Sequence, residues 1–189
     1  IQMREVKTLN PNYQLNKLMQ EKNIRNPFNL YYDTLIEKTA QLSKPQRIQY
    51  YHDDWNQQPV YCKVRSFVME RDGEFTGFQC YFIADLSDTV SLDISGDDPN
   101  LHSCSDSWKH ASLPIEQPIT VRKGDVISLS FSRYYPDGMS ALQFRQIYRW
   151  KGHVERDGSH YTTFDQCMDE RVFSNTGNNR YNVDRKSVV

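Results

Sequence analysis

Two alternating runs meet at Arg71-Asp72-Gly73, and that junction constrains the fold more than any other stretch. "PVYCKVRSFVME" (residues 59–70) and "EFTGFQCYFIADL" (74–86) both alternate apolar with polar residues over strand length. Asp-Gly between such runs is the strongest short hairpin signal, because both residues tolerate the positive φ of a two-residue β-turn. The expectation is two long strands paired across that turn.

The same punctuation recurs downstream. "TVSLDIS" ends at Gly96-Asp97-Asp98-Pro99. "WKHASLPI" and "QPITV" end at Lys123-Gly124-Asp125, "VISLSFSRYY" ends at Pro136-Asp137-Gly138, and Asp157-Gly158 separates "LQFRQIYRWKGHV" from "HYTTFDQ". Short strands at regular spacing predict a mainly β, antiparallel β-barrel or sandwich. Aromatic residues make up 13% of the chain, which suits a half-buried pleat. The alternation predicts a core containing Phe67, Phe78, Tyr81, Phe82, Leu92, Ile127, Leu129, Phe131 and Ile147.

The N-terminal region is different. In "NYQLNKLMQEKN", Leu15, Leu18 and Met19 recur at helical spacing, and Asn23 with Asn26-Pro27 ends the pattern. Residues 1–41 are therefore expected to form a partly helical arm, 42–166 the β-barrel, and 167–189 a polar tail containing "NTGNNRYN". The chain opens at Ile1 and not at methionine, as expected of a piece of a longer protein or of tag remnants before Met3.

Charge and motifs exclude several functions. A net charge of −1 provides no basic field for nucleic acid, and no apolar run approaches the ~20 residues that span a bilayer. Neither GxGxxG nor a P-loop is present, and His52, His102, His110, His153 and His160 show no metal-ligand spacing. His102 and His110 flank Trp108 and are expected to be exposed loop histidines. Cys104 lies two residues after His102, but sequence proximity does not make an activated thiolate. Asp97, Asp98 and Asp106 read as solvated turn residues. The four cysteines form no CxxC pair; Cys62 and Cys80 read as reduced core residues, which points to a cytosolic or nuclear compartment.

The order of segments is similar to a known family. Leu42-Ser43-Lys44-Pro45 is followed by a strand bearing Gly77, Phe78, Tyr81 and Phe82. A loop ending in Trp108 precedes Leu113 to Ile115, then Pro118-Ile119-Thr120-Val121, then the Gly124-Asp125 turn. Over residues 42–150 this resembles the C-terminal β-barrel of protein arginine N-methyltransferases, with weaker similarity over 1–41. Most of that family has Thr-His-Trp where this chain has Asp106-Ser107-Trp108. The Ser-Trp version resembles the branch that makes symmetric dimethylarginine.

The resemblance implies a role for each part. Asp106, Ser107 and Trp108 would form a substrate-entrance loop, where an aromatic face can hold a guanidinium without neutralising it. Leu15, Leu18, Met19, Phe28, Leu30 and Tyr31 would form the apolar face of a dimerisation arm. The family's Gly-rich S-adenosylmethionine loop and its paired-glutamate loop have no counterpart in this sequence. The chain alone is thus expected to bind no cofactor and to transfer no methyl group. Its implied partners are an arginine-containing protein substrate, the missing methyltransferase domain and a second copy through the arm, with no nucleic acid or membrane. The alternative is a stand-alone ligand- or carbohydrate-binding β-module using Trp55, Trp108, Tyr134 and Tyr135 as an aromatic platform.

Overall fold

The computed structural model describes residues 2–3, 26–34, 38–51, 60–95, 110–135 and 146–168. The described strands are β1 (Gln2–Met3), β2 (Tyr32–Thr34), β3 (Tyr61–Val68), β4 (Gly73–Cys80), β5 (Ile83–Ser87), β6 (Val90–Asp93), β7 (His110–Val121), β8 (Val126–Tyr134), β9 (Ile147–Arg156) and β10 (Ser159–Cys167). Two four-stranded sheets have the orders β1-β4-β7-β2 and β10-β9-β8-β3, and β5 with β6 makes a separate ribbon. All strand pairs are antiparallel, so the mainly β, antiparallel expectation holds. Among the described residues no strand pairs from one four-stranded sheet to the other. The expected barrel appears there as two sheets joined at corners. Both edge strands of the first sheet, β1 and β2, come from the N-terminal 41 residues.

The Asp72-Gly73 signal marks a turn but not a hairpin. β3 pairs with β8 and β4 pairs with β7, so the turn carries the chain from one sheet to the other. Neither Asp72 nor Gly73 has positive φ, which a tight two-residue hairpin turn requires. At Asp157-Gly158 both residues do (φ 51° and 73°), and β9 and β10 pair there directly as expected. Lys123-Gly124-Asp125 makes the second corner, between β7 and β8, beside the first. Met69 N donates to Asp125 O at 2.9 Å, and Gly124 N donates to Met69 O at 2.8 Å. Leu42 and Ser43 lock onto this corner: both are buried, and Glu70 N donates to Leu42 O at 2.8 Å.

The core lies between the sheets. Phe75 and Phe78 of β4 meet Phe67 of β3 and Phe164 of β10, with ring centroids 5.1–5.9 Å apart. Trp150 of β9 is fully buried and crosses to the other sheet, donating Nε1–H to Pro114 O at 2.7 Å. A large side chain buried this way contributes about 1.5–3 kcal/mol, against a whole-domain stability of about 5–15 kcal/mol. Two glycines allow neighbouring strands within each sheet to approach closely. A Cβ on Gly77 would stand 2.3 Å from Leu113 O, and one on Gly152 would stand 1.8 Å from Ser128 O. Beside Gly77 the register breaks: Phe75 faces Ile119 while Gly77 faces Pro114. Residues 115–118 therefore bulge opposite Thr76, and Pro118 sits in the bulge, where no ladder donor is needed.

Of the expected core, Phe67, Phe78, Ile127, Leu129, Phe131 and Ile147 are buried. Phe82 is not, at 37% exposure, and Tyr81 and Leu92 are half-buried. The strand that sequence alternation extends to Leu86 ends at Cys80, and residues from Ile83 onward belong to the β5–β6 ribbon. Cys62 is exposed, contrary to its reading as a core residue. Tyr61, Lys63, Arg65 and Phe67 take the less accessible face of β3, leaving Cys62, Val64, Ser66 and Val68 outside.

Candidate functional site

Strand direction sorts the connections between two ends. Both corner turns and the Asp157-Gly158 hairpin lie at one end. At the other, β3 and β9 begin, β8 and β10 end, β4 stops and β7 starts. Residues 52–59, 96–109 and 136–145 all join the described strands at this second end.

An aromatic and cationic cluster lines that end. Tyr148 stacks on Phe131 at 5.8 Å, Tyr31 meets Tyr148 edge-on at 6.0 Å, and Tyr61 lies 6.3 Å from Phe131. The Arg133 guanidinium sits over the Tyr61 ring at 4.8 Å, and its Nη1 donates to Tyr51 Oη at 3.4 Å. Tyr148 Oη donates to Gln146 Oε1 at 2.5 Å. Burial is the main cause that holds the Tyr61 and Tyr148 phenols protonated beyond the ordinary tyrosine range, with Arg133 opposing it. Neutral rings around a fixed cation make a surface suited to planar groups. No group of three His, Cys, Asp or Glu able to hold a metal occurs among the described residues.

Beside the cluster, His110 overturns its reading as an exposed loop histidine. It is 6% exposed, with Nε2 bonded to Ile94 O and Nδ1 bonded to the Gln79 side-chain amide. The strand begins at His110, so the ring enters the sheet interior. The proposed entrance residues Asp106, Ser107 and Trp108 lie outside the described residues, as do Leu15, Leu18, Met19, Trp55, Asp97, Asp98, His102 and Cys104. Phe28 is buried within this chain, in a 3₁₀ turn (Pro27–Asn29) that packs on β7 and β10. Its start is capped by Asn26, which accepts from Phe28 N at 3.0 Å, and Asn29 Oδ1 accepts from Cys167 N at 3.1 Å. Leu30 and Tyr31 are half-buried, as are Tyr134 and Tyr135.

Among the described residues, Cys62, Cys80 and Cys167 form no disulfide. Hydrogen bonds from the Ser130 and Ser132 hydroxyls lower the Cys62 thiol, with Ser130 Oγ at 3.3 Å, whereas burial pushes Cys80 up to about 11.

A family model described as the PRMT5 oligomerisation domain matches residues 9–140, well over half the chain. The chain belongs to the PRMT5 oligomerisation domain family. The match spans β2, one of the two edge strands of the first sheet, together with the two corners and the whole 96–109 connection. The branch suggested by Ser107-Trp108 is consistent with that description. Among solved structures, a chain of the Trypanosoma brucei PRMT1 enzyme–prozyme heterotetrameric complex with AdoHcy superimposes with a TM-score of 0.59 at 8% identity. The alignment covers 87% of this chain and 55% of that one, so this chain spans about half the length of the structure it resembles. At that identity the likeness concerns the fold. No curated protein matches the sequence.

Sequence reasoning did not find Trp150, the Arg133 cluster or the Gln79–His110 pair. A signal for the cluster existed: laid antiparallel, "VYCK", "SRYY" and "IYRW" bring their tyrosines and arginine to one end of one sheet.

Proposed function

We propose that this chain is the β-barrel, substrate-binding and oligomerisation part of an S-adenosylmethionine-dependent protein arginine N-methyltransferase, and that it has no catalysis of its own. The family match carries this reading. The fold supports it by setting the start of β7, where the 96–109 connection rejoins the described strands, at the same end as the aromatic cluster. An arginine-bearing protein segment would enter there, beside a methyltransferase domain contributed from outside this chain. Leu15, Leu18 and Met19 would serve contacts with a second copy; Phe28 is already committed to this chain's own packing. Symmetric dimethylarginine is the proposed product, and a cytosolic or nuclear location suits a chain whose described cysteines form no disulfide.

The described residues do not fit the cofactor. Gly77 and Gly152 lie against strand backbone, so the close approach their missing side chains allow is filled by the chain itself. Gly124 and Gly158 stand in open turns at the opposite end. On this reading, cofactor binding would fall to a domain outside this chain. Two measurements test the reading. Titration of S-adenosylmethionine into this chain is expected to give no heat above dilution. The protein encoded by the full gene is expected to transfer labelled methyl groups to an arginine-rich peptide. Micromolar cofactor binding by the chain, or no transfer by the full protein, sinks the proposal.

A further inference from the structure

His110 opens β7, and Ile94 directly follows β6, so these two residues bracket the connection that carries Trp108. His110 ties its two ends together. A carbonyl can only accept, so the ring nitrogen facing Ile94 O carries the hydrogen. Nδ1 is then bare and accepts from the Gln79 side-chain amide. The two contacts together select the Nε2–H tautomer. Gln79 is fully buried on β4, and its Oε1 has no partner among the described residues. A glutamine that leaves one amide atom unsatisfied in the interior incurs a penalty that the bond to His110 offsets. Tyr81 closes the other side, its ring 6.0 Å from the imidazole.

We propose that His110 is a positioning residue, a buried two-sided latch that ties the two described ends of the 96–109 connection, Ile94 and the start of β7, to each other and to β4. A loop's tip is located no better than its stem, and a stem held by one side chain to two different elements is fixed in both spacing and direction. The consequence for an arginine substrate rests on the function proposed above; the latch itself does not.

The test uses the protein encoded by the full gene, with His110→Ala removing both bonds and His110→Gln keeping a donor for Ile94 O. Amide hydrogen exchange at residues 94–95 and 110–112 is expected to rise about tenfold in His110→Ala and by less in His110→Gln, with Ile127, Leu129 and Val154 unchanged. Stem exchange equal to wild type overturns the latch. If His110→Ala does not fold, the nitrogen shifts of the wild-type His110 ring decide: Nε2–H is expected, and Nδ1–H overturns it. In methylation assays the peptide KM is expected to rise about fivefold in His110→Ala with cofactor affinity unchanged. Equal loss of both would make the role merely structural. If the wild type transfers no methyl group, the functional reading falls and the exchange data alone decide the latch.

Discussion

At the corner end, where β3 turns into β4 and β7 into β8, backbone and charged groups satisfy one another; at the opposite end, aromatic rings meet the stems of three long connections. Asp125 is the hub of the first. It is 4% exposed, accepts from Arg122 N at 2.9 Å, and pairs with Arg156 at 2.8 Å. Arg156 also donates to Thr120 O and lies over the Tyr161 ring at 4.1 Å. Lys123 N closes the set by donating to Asp72 Oδ1 at 2.7 Å. The difference shows how one small fold divides its work. Short-range polar chemistry fixes one end, whereas ring packing and long connections make up the other.

Substitutions at the two ends should therefore separate stability from function. The largest effect is expected from Trp150→Ala, which damages both ends because its ring joins the sheets between them. A loss of about 3–5 kcal/mol in urea unfolding is expected, and a loss below about 1 kcal/mol would mean the sheets close without it. Next comes Asp125→Ala, with a loss of about 2–3 kcal/mol and normal specific activity per folded molecule. Burial alone would raise this carboxyl, but Arg156 and the Arg122 amide outweigh burial and hold it below the usual carboxylate range. Its contribution is thus present above the unfolded pKa of about 3.9 and fades as pH falls through the lower folded value. Stability curves of wild type and Asp125→Asn should converge at acid pH; parallel curves would remove Asp125 from the account.

Trp108→Ala should do the reverse. In the full protein, kcat/KM for the peptide is expected to fall about tenfold while the melting temperature stays within about 2 °C. Unfolding with normal specific activity in the remainder would make Trp108 a plug. The smallest effect is expected from Arg133→Met, about 0.5–1 kcal/mol from the lost contact with Tyr61. A larger change would show that the cluster supports the fold and is not a surface held ready for a ligand.

The sequence disclosed the period of the strands more readily than their partners. Turn residues located both corners and the hairpin, yet Asp72-Gly73 and Asp157-Gly158 look alike on paper. They differ in φ, which depends on whether the next strand returns to the same sheet or leaves it. β3 kept its alternation and buried Phe67 as expected, but it turned Cys62 outward, because Val64 and Val68 make one face as apolar as the other. Its Arg65 is held by the segment before it, donating to Arg47 O at 2.6 Å, a contact no local pattern reveals. The family was legible because its motifs lie in order along the chain. Gln79–His110 was not, because a histidine beside polar loop residues carries no mark of the glutamine waiting on another strand.

The corner turns also bear on how the molecule is made. A hairpin strand meets its partner within a few residues, as β10 meets β9 across Asp157-Gly158. β3 has no such neighbour: Phe67 must wait for Ile127, and Tyr61 for Arg133. Pairings so distant in sequence are slow, since chain must be closed before any contact rewards it. During synthesis, Val64 and Val68 leave the ribosome on a strand with both edges bare, and they remain so until β8 has emerged. Over that interval the nascent chain is most exposed to mispairing, and the earliest native structure available to it near the C-terminus is the β9–β10 hairpin, which appears only after the wait is over.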